Sequence, residues 1–222
     1  MKVSEIFVSV QGEGPSIGKP AIFLRLSHCN LNCLWCDTKY AWYCGSEKSV
    51  DDVVGDILKL LGVYSKVNLL VVTGGEPLLQ RNELELLVKA LKKVKELEVE
   101  VETNCTVDPG NLVDIVDRLI VSPKLEHSGV PKELRQCAES FRNSLGKYRG
   151  KIYLKFVVET AEDLLEIDEI VNFFGAEPSS VYLMPQASSL EELARKLRLV
   201  TDLAIQRGFR VSDRLQIVGG FR

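Results

Sequence analysis

The sequence predicts an α/β fold built on a parallel sheet. Three observations carry this. Strand-like and helix-like stretches alternate along most of the 222 residues, and the unusual residues gather just after strands. The composition is that of an ordinary globular protein, long enough to bury a large core. Strands that alternate with helices imply right-handed βαβ units. In a curved or barrel-like parallel sheet, ligands bind at the carboxyl ends of the strands. No low-complexity stretch, and no repeat beyond the βα unit, marks a boundary, so residues 1–222 read as a single domain.

Residues 3–10 form the first strand, which Gln11-Gly12-Glu13-Gly14-Pro15 ends as a turn. A second strand covers 21–27, with Phe23, Arg25 and Ser27 on one face and Ile22, Leu24 and Leu26 on the other. Arg25 interrupts a buried-looking strand. It is either a solvated residue of an edge strand or a carboxylate ligand, and the cysteine-rich loop that follows within four residues favours the second. Ser49-Val50-Asp51-Asp52 reads as an N-cap and acidic first turn, opening a helix to about Leu61. Strand 68–73 ends in Gly74-Gly75-Glu76-Pro77, whose glycines are expected to leave backbone amides open to a ligand. Helix 82–95 follows, then strand 97–103. There Glu98 and Glu100 read as a solvated face, and Glu102 with Asn104 as site residues at the carboxyl end.

The rhythm then repeats. A short helix at 111–117 leads to strand 119–122, ending in Ser122-Pro123-Lys124, and a helix spans 131–144. Strand 151–158 precedes helix 161–174. Strand 181–184 ends in Met184-Pro185-Gln186, helix 189–207 follows, and a last strand lies near 209–217. Lys155 sits centrally in its strand, where a charge is seldom idle; an ion pair and a substrate contact both remain open.

The formal net charge is −3, which argues against a broad nucleic-acid or anionic-membrane surface and suits a small-molecule substrate. There is no secretory signal pattern and no apolar run of about 18 residues, so a cytoplasmic protein is expected. Six cysteines in a reducing compartment are then expected as ligands or thiols rather than disulfides. Cys44, Cys105 and Cys137 read as plain small residues.

The other three cysteines carry the chemistry. Cys29, Cys33 and Cys36 have a C-x3-C-x2-C spacing, which lets a short irregular loop turn three sulfurs toward one centre. Thiolates select zinc, copper(I) or iron–sulfur clusters, and closed sites normally take four ligands. Three therefore leave one position open. An iron–sulfur cluster is favoured over a zinc site completed by His28 or another cysteine, and over a disulfide framework.

This loop, with Trp35 before its last cysteine and Gly74-Gly75-Glu76-Pro77 downstream, resembles the paired signature of the radical S-adenosylmethionine (radical-SAM) superfamily. Val10-Gln11-Gly12-Glu13-Gly14, Phe23-Leu24-Arg25-Leu26, Cys36-Asp37-Thr38-Lys39, Thr73 through Pro77, Glu102-Thr103-Asn104, Ser122-Pro123-Lys124 and Leu215-Gln216 extend the likeness over nearly the whole chain. Together they are similar to the 7-carboxy-7-deazaguanine synthase family. The resemblance implies a partial, TIM-like radical-SAM barrel of βα units. It also implies Mg²⁺-dependent ring contraction of 6-carboxy-5,6,7,8-tetrahydropterin with release of ammonia, in 7-deazapurine (queuosine or archaeosine) biosynthesis. Further implications are an electron donor of flavodoxin or ferredoxin type and a homodimer.

Carried over position by position, the resemblance makes Cys29, Cys33 and Cys36 ligands of a 4Fe–4S cluster and Thr38 a hydroxyl ligand of Mg²⁺. Val10, Gln11, Gly12, Arg25 and Thr73 match pterin-binding positions. Trp35, Cys36, Asp37, Gly75, Ser122, Pro123 and Lys124 match positions contacting S-adenosylmethionine, with Glu102, Asn104 and Gln186 as further candidates. Cys105 stands where the family often has glycine. Two rival functions share parts of this pattern. One is a glycyl-radical activase, which would need no Arg25 and Thr38 pair for a carboxylate and Mg²⁺; the other is a zinc-stabilised binding module without catalysis.

Overall fold

The computed structural model describes residues 1–221, with residues 145 and 146 described by backbone alone. The chain opens with a hairpin of β1 (Lys2–Val10) and β2 (Pro20–Leu26), which pair antiparallel. The nine residues between them are too few for a parallel crossover, which needs a dozen or more. After the cysteine loop come β3 (Ser46–Glu47), α1 (Val50–Val63), β4 (Leu69–Gly74), α2 (Arg81–Val94) and β5 (Glu98–Thr103). Then follow α3 (Leu112–Ile115), β6 (Arg118–Val121), α4 (Lys132–Arg135), α5 (Glu139–Lys147) and β7 (Ile152–Val158). The chain continues through α6 (Asp163–Phe174), β8 (Val181–Pro185), α7 (Leu190–Arg207), β9 (Arg210–Val211) and α8 (Leu215–Gly219).

The sheet order is β3-β1-β2-β4-β5-β6-β7-β8-β9, parallel from β2 onward. Among the described residues no pairing joins β9 back to β3, so the barrel is partial. Period-two alternation divides each strand between two layers. Ile22, Leu24, Leu26, Leu70, Val72, Val99, Val101, Leu119, Leu154 and Leu183 belong to the large core that includes Ile57, Leu84, Leu91 and Val200 of the helices. The opposite faces are turned inward. There a small separate cluster of Ala21, Phe23, Leu69 and Val71, with Phe7, fills part of the interior.

Local signals hold at several ends. Ser49 caps α1 in a capping box with Asp52, whose amide donates to Ser49 Oγ at 3.1 Å. Ser189 caps α7, and Gly208 at φ 68° ends it.

Three expectations need correction. The helix expected over 131–144 is broken into α4 and α5, and the strand expected near 209–217 is only β9 followed by α8. Cys105 and Cys137, expected as separate thiols, form a disulfide with Cα atoms 4.6 Å apart. The first and third share a cause. Cys105 adopts a left-handed turn (φ 71°) after β5, and the chain returns across it, with the Ala138 amide donating to the Cys105 carbonyl at 2.8 Å. Gln136 and Ala138 are thereby held extended between two short helices. Cys44, the remaining cysteine outside the loop, is exposed.

The disulfide closes a separation of 32 residues, which the chain-entropy picture values at about 3–4 kcal/mol. Cys137→Ser is expected to lower the guanidinium midpoint by a corresponding amount under oxidising conditions and to change it little under reducing ones. Equal midpoints under both would mean that the two sulfurs are not joined in solution.

Candidate functional site

The inward strand faces and the carboxyl-end loops enclose a cavity of about 910 Å³. Register places its polar residues in rows. Arg25 of β2 lies beside Thr73 of β4, and Lys155 of β7 is opposite Tyr182 of β8, as Val157 is opposite Met184. The hairpin turn after β1 and the segment carrying α8 close the cavity from two further sides.

On one wall, Cys29, Cys33 and Cys36 pack against Leu31 and Val130. All three line the cavity, and none is in a disulfide. Burial pushes the Cys29 thiol up to about 11 and raises that of Cys33. Such thiols ionise readily only beside a positive centre, which the chemistry of a metal–thiolate site supplies. Among the described residues no three His, Cys, Asp or Glu side chains converge as on a single ion. What fits is the donor set: three cysteine sulfurs gathered on one cavity wall are soft ligands of the kind an iron–sulfur cluster takes. His28 is turned elsewhere, its ring nitrogens facing the Trp42 carbonyl at 3.0 Å and Lys2 Nζ at 3.1 Å.

Gly75, just past β4, acts differently from expectation. The Gly75 amide donates to the Leu26 carbonyl at 3.0 Å and that of Glu76 to the His28 carbonyl at 2.8 Å, so neither is open to a ligand. A Cβ on Gly75 would lie 1.9 Å from the His28 carbonyl oxygen. Glycine here permits close approach to the chain entering the cysteine loop. Glu76 is fully buried and accepts from Thr103 Oγ1 at 2.7 Å and from the Asn104 amide at 2.6 Å, tying this turn to the end of β5. Asn104 in turn donates to Asn30 Oδ1 at 3.0 Å inside the loop.

Opposite the thiols lies a lattice of charges. Lys155 is 5% exposed and donates to Glu13 at 2.7 Å and Glu102 at 3.2 Å. Glu102 also accepts from Thr73 Oγ1 at 2.8 Å. Arg214 donates to Glu13 at 3.1 Å, to Asp37 and to the Ala187 carbonyl, and Gln216 donates to Glu13 at 2.7 Å. Arg25 is paired with Glu5 at 2.7 Å, which Tyr40 also reaches at 2.8 Å. Glu100, expected on a solvated face, is fully buried, accepting from Gln11 at 3.0 Å and Arg118 at 3.0 Å. The physical reason is curvature: the face of β5 that looks polar in sequence points into the barrel, where Glu100 finds partners from the turn after β1 and from β6.

Burial alone would raise the Glu13 carboxyl, but Lys155 and Arg214 outweigh it and bring it down to about 2. Its unfolded value is 4.5, so this stabilisation is complete above about 4.5 and is lost as pH falls toward 2. Glu76 and Glu100, pushed up by burial, act with the opposite sign, favouring the fold at low pH. Stability between pH 4.5 and 2 is therefore expected to fall more steeply in wild type than in Glu13→Gln, by on the order of 2–3 kcal/mol over the interval. Parallel urea midpoints across that range would remove Glu13 from the account.

The cavity brings together Val10, Gln11, Gly12, Arg25, Trp35, Asp37, Thr38, Thr73, Gly75, Glu102, Asn104, Ser122, Lys124 and Gln186 with the three cysteines. Pro123 is buried beside them but not on the wall. Gln11 lines it with a side chain already committed, donating to Glu100 and Glu102 and accepting from the Glu13 amide at 3.2 Å. Sequence reasoning left Glu13 without a role inside a motif it had singled out. Arg214 and the role of Gln216 were missed. Their partners lie about 200 residues away in sequence, at separations of 201 and 203, and no local pattern announces such contacts.

Residues 25–127 match the Radical SAM superfamily, which places the cysteine loop, the glycines after β4 and the turn after β5 within one inherited unit. The class is that of radical-SAM proteins. The 7-carboxy-7-deazaguanine synthase of Pyrobaculum aerophilum is 41% identical over 98% of this chain and 94% of its own length. That of Rhodopirellula baltica is 37% identical over 97% and 84%. The crystal structure of QueE from Escherichia coli superposes with a TM-score of 0.71 at 26% identity, covering 96% of this chain and 92% of that one. The chain belongs to the 7-carboxy-7-deazaguanine synthase family.

Proposed function

We propose that this chain, acting as one radical-SAM unit, converts 6-carboxy-5,6,7,8-tetrahydropterin to 7-carboxy-7-deazaguanine with release of ammonia. The observation that carries this reading is one cavity with three thiols on one wall and the Arg25, Thr73, Glu102 and Lys155 group on another. When bound, the cluster and S-adenosylmethionine supply one-electron reduction and hydrogen abstraction. The protein's part is placement.

Cys29, Cys33 and Cys36 would hold the cluster. Trp35, Asp37, Gly75, Ser122, Pro123, Lys124, Asn104 and Gln186 would surround the cofactor. Thr38, whose Oγ1 is 3.6 Å from Cys36 Sγ, would supply an oxygen ligand to Mg²⁺. Val10, Gly12 and Thr73 would form the pterin wall, with the stacked rings of Phe7 and Phe23, 5.1 Å apart, beneath. Arg25 is oriented by Glu5 and by the Phe7 ring at 5.8 Å, and would receive the substrate carboxylate. A cytoplasmic homodimer reduced by a flavodoxin- or ferredoxin-type donor completes the reading. No helix among the described residues is long and apolar enough to cross a membrane.

The test is anaerobic. Protein reconstituted with iron and sulfide is given reductant, S-adenosylmethionine, Mg²⁺ and the carboxypterin, and product is followed by mass spectrometry. 7-Carboxy-7-deazaguanine is expected. 5′-Deoxyadenosine without it would favour a protein-modifying activase. In the same assay Thr38→Ala is expected to raise the Mg²⁺ requirement about tenfold, in the range of lost metal contacts, while iron content stays unchanged. Loss of iron would make Thr38 structural instead.

A further inference from the structure

Lys196 of α7 is a buried charge that the reading above does not use; it is 8% exposed. Its ammonium donates to Glu159 Oε2 at 2.6 Å, just past β7, and to Gln186 Oε1 at 2.7 Å, just past β8. It thus joins two neighbouring strand ends on the rim of the cavity.

An ammonium has three donors and no acceptor, so the face of the Gln186 amide turned toward it must be the oxygen. The amide nitrogen of Gln186 has no protein partner among the described residues, and the residue lines the cavity. The Gln186 backbone is fixed separately, its amide donating to the Val158 carbonyl at 2.8 Å. With backbone and oxygen both held, the NH₂ group is presented to the ligand as a donor.

We infer that Lys196 is a positioning residue that locks the Gln186 carboxamide with its NH₂ toward the bound cofactor, so that Gln186 recognises an acceptor atom. The adenosine half of S-adenosylmethionine offers such acceptors in its ring nitrogens and ribose oxygens. This inference rests on the proposed placement of the cofactor against Gln186. Without Lys196 the amide can turn over, and Glu159 loses its partner.

Binding of S-adenosylmethionine to the reconstituted protein, read by equilibrium dialysis with iron content as control, tests this. Gln186→Glu keeps an oxygen for Lys196 but replaces the donor with an acceptor, so the dissociation constant is expected to rise roughly three- to tenfold, as for a lost hydrogen bond. Lys196→Met is expected to do the same, with Lys196→Arg partly restoring affinity. Adding Lys196→Met to Gln186→Ala should change binding no further, since the lysine acts through the amide. Wild-type affinity in Gln186→Glu, or fully additive losses in the double variant, would overturn the inference alone. A wild type that holds iron but no cofactor would overturn both the inference and the reading on which it rests.

Discussion

Cys33→Ala is expected to lose its iron and to drop 5′-deoxyadenosine formation by more than about a hundredfold, since even outer partners of metal ligands are worth 10–100-fold. The fold should survive. Cys33 is 6% exposed but belongs to a small cluster with Leu31 and Val130, apart from the large core beneath the helices. Truncating it removes one sulfur from that cluster, a loss of about 1 kcal/mol at an apolar contact. Iron analysis and a denaturation curve on the same sample separate the two effects. Retained cofactor cleavage at normal rate would mean that the loop had been misread as a cluster site.

Lys155→Met is expected to lower stability by about 3–5 kcal/mol, the range for removing one partner of a buried ion pair. The lysine stands between two carboxylates, and its removal leaves Glu13 and Glu102 facing each other inside the barrel. Burial opposes the lysine's charge, but Glu102 and Glu13 more than offset it and hold its pKa above the ordinary value. A shift of the urea midpoint with unchanged slope is the readout. Lys155→Met with Glu102→Gln should recover part of the loss, because the second change removes one uncompensated charge. A loss below about 1 kcal/mol would place the three groups in solvated surroundings.

Much of the site was legible because its signals are local. The C-x3-C-x2-C spacing, the paired glycines after β4 and the Glu-Thr-Asn end of β5 each lie within a few residues, and parallel topology alone gathers strand ends on one rim. What failed had a non-local cause. Glu100 looks like part of a solvated stripe until β5 is curved with that face inside, whereas Glu98 at the start of the strand stays partly exposed. The helix over 131–144 reads continuously until Cys137 is drawn to Cys105, and the last strand until residues 212–216 cross to the hairpin turn, where the Leu215 amide donates to the Gly12 carbonyl at 3.1 Å.

The amino-acid sequence by itself determined the βα order, the three-thiol loop, the family and a part of the residues on the cavity wall, because periodicity and motif spacing are properties of short segments. Only the tertiary structure decided which charges neutralise one another, which thiols join, and how residues after β9 complete the cavity. Those outcomes depend on contacts between segments far apart in the chain. Their formation is fixed by how the sheet curves and how its helices pack, and no local pattern encodes that.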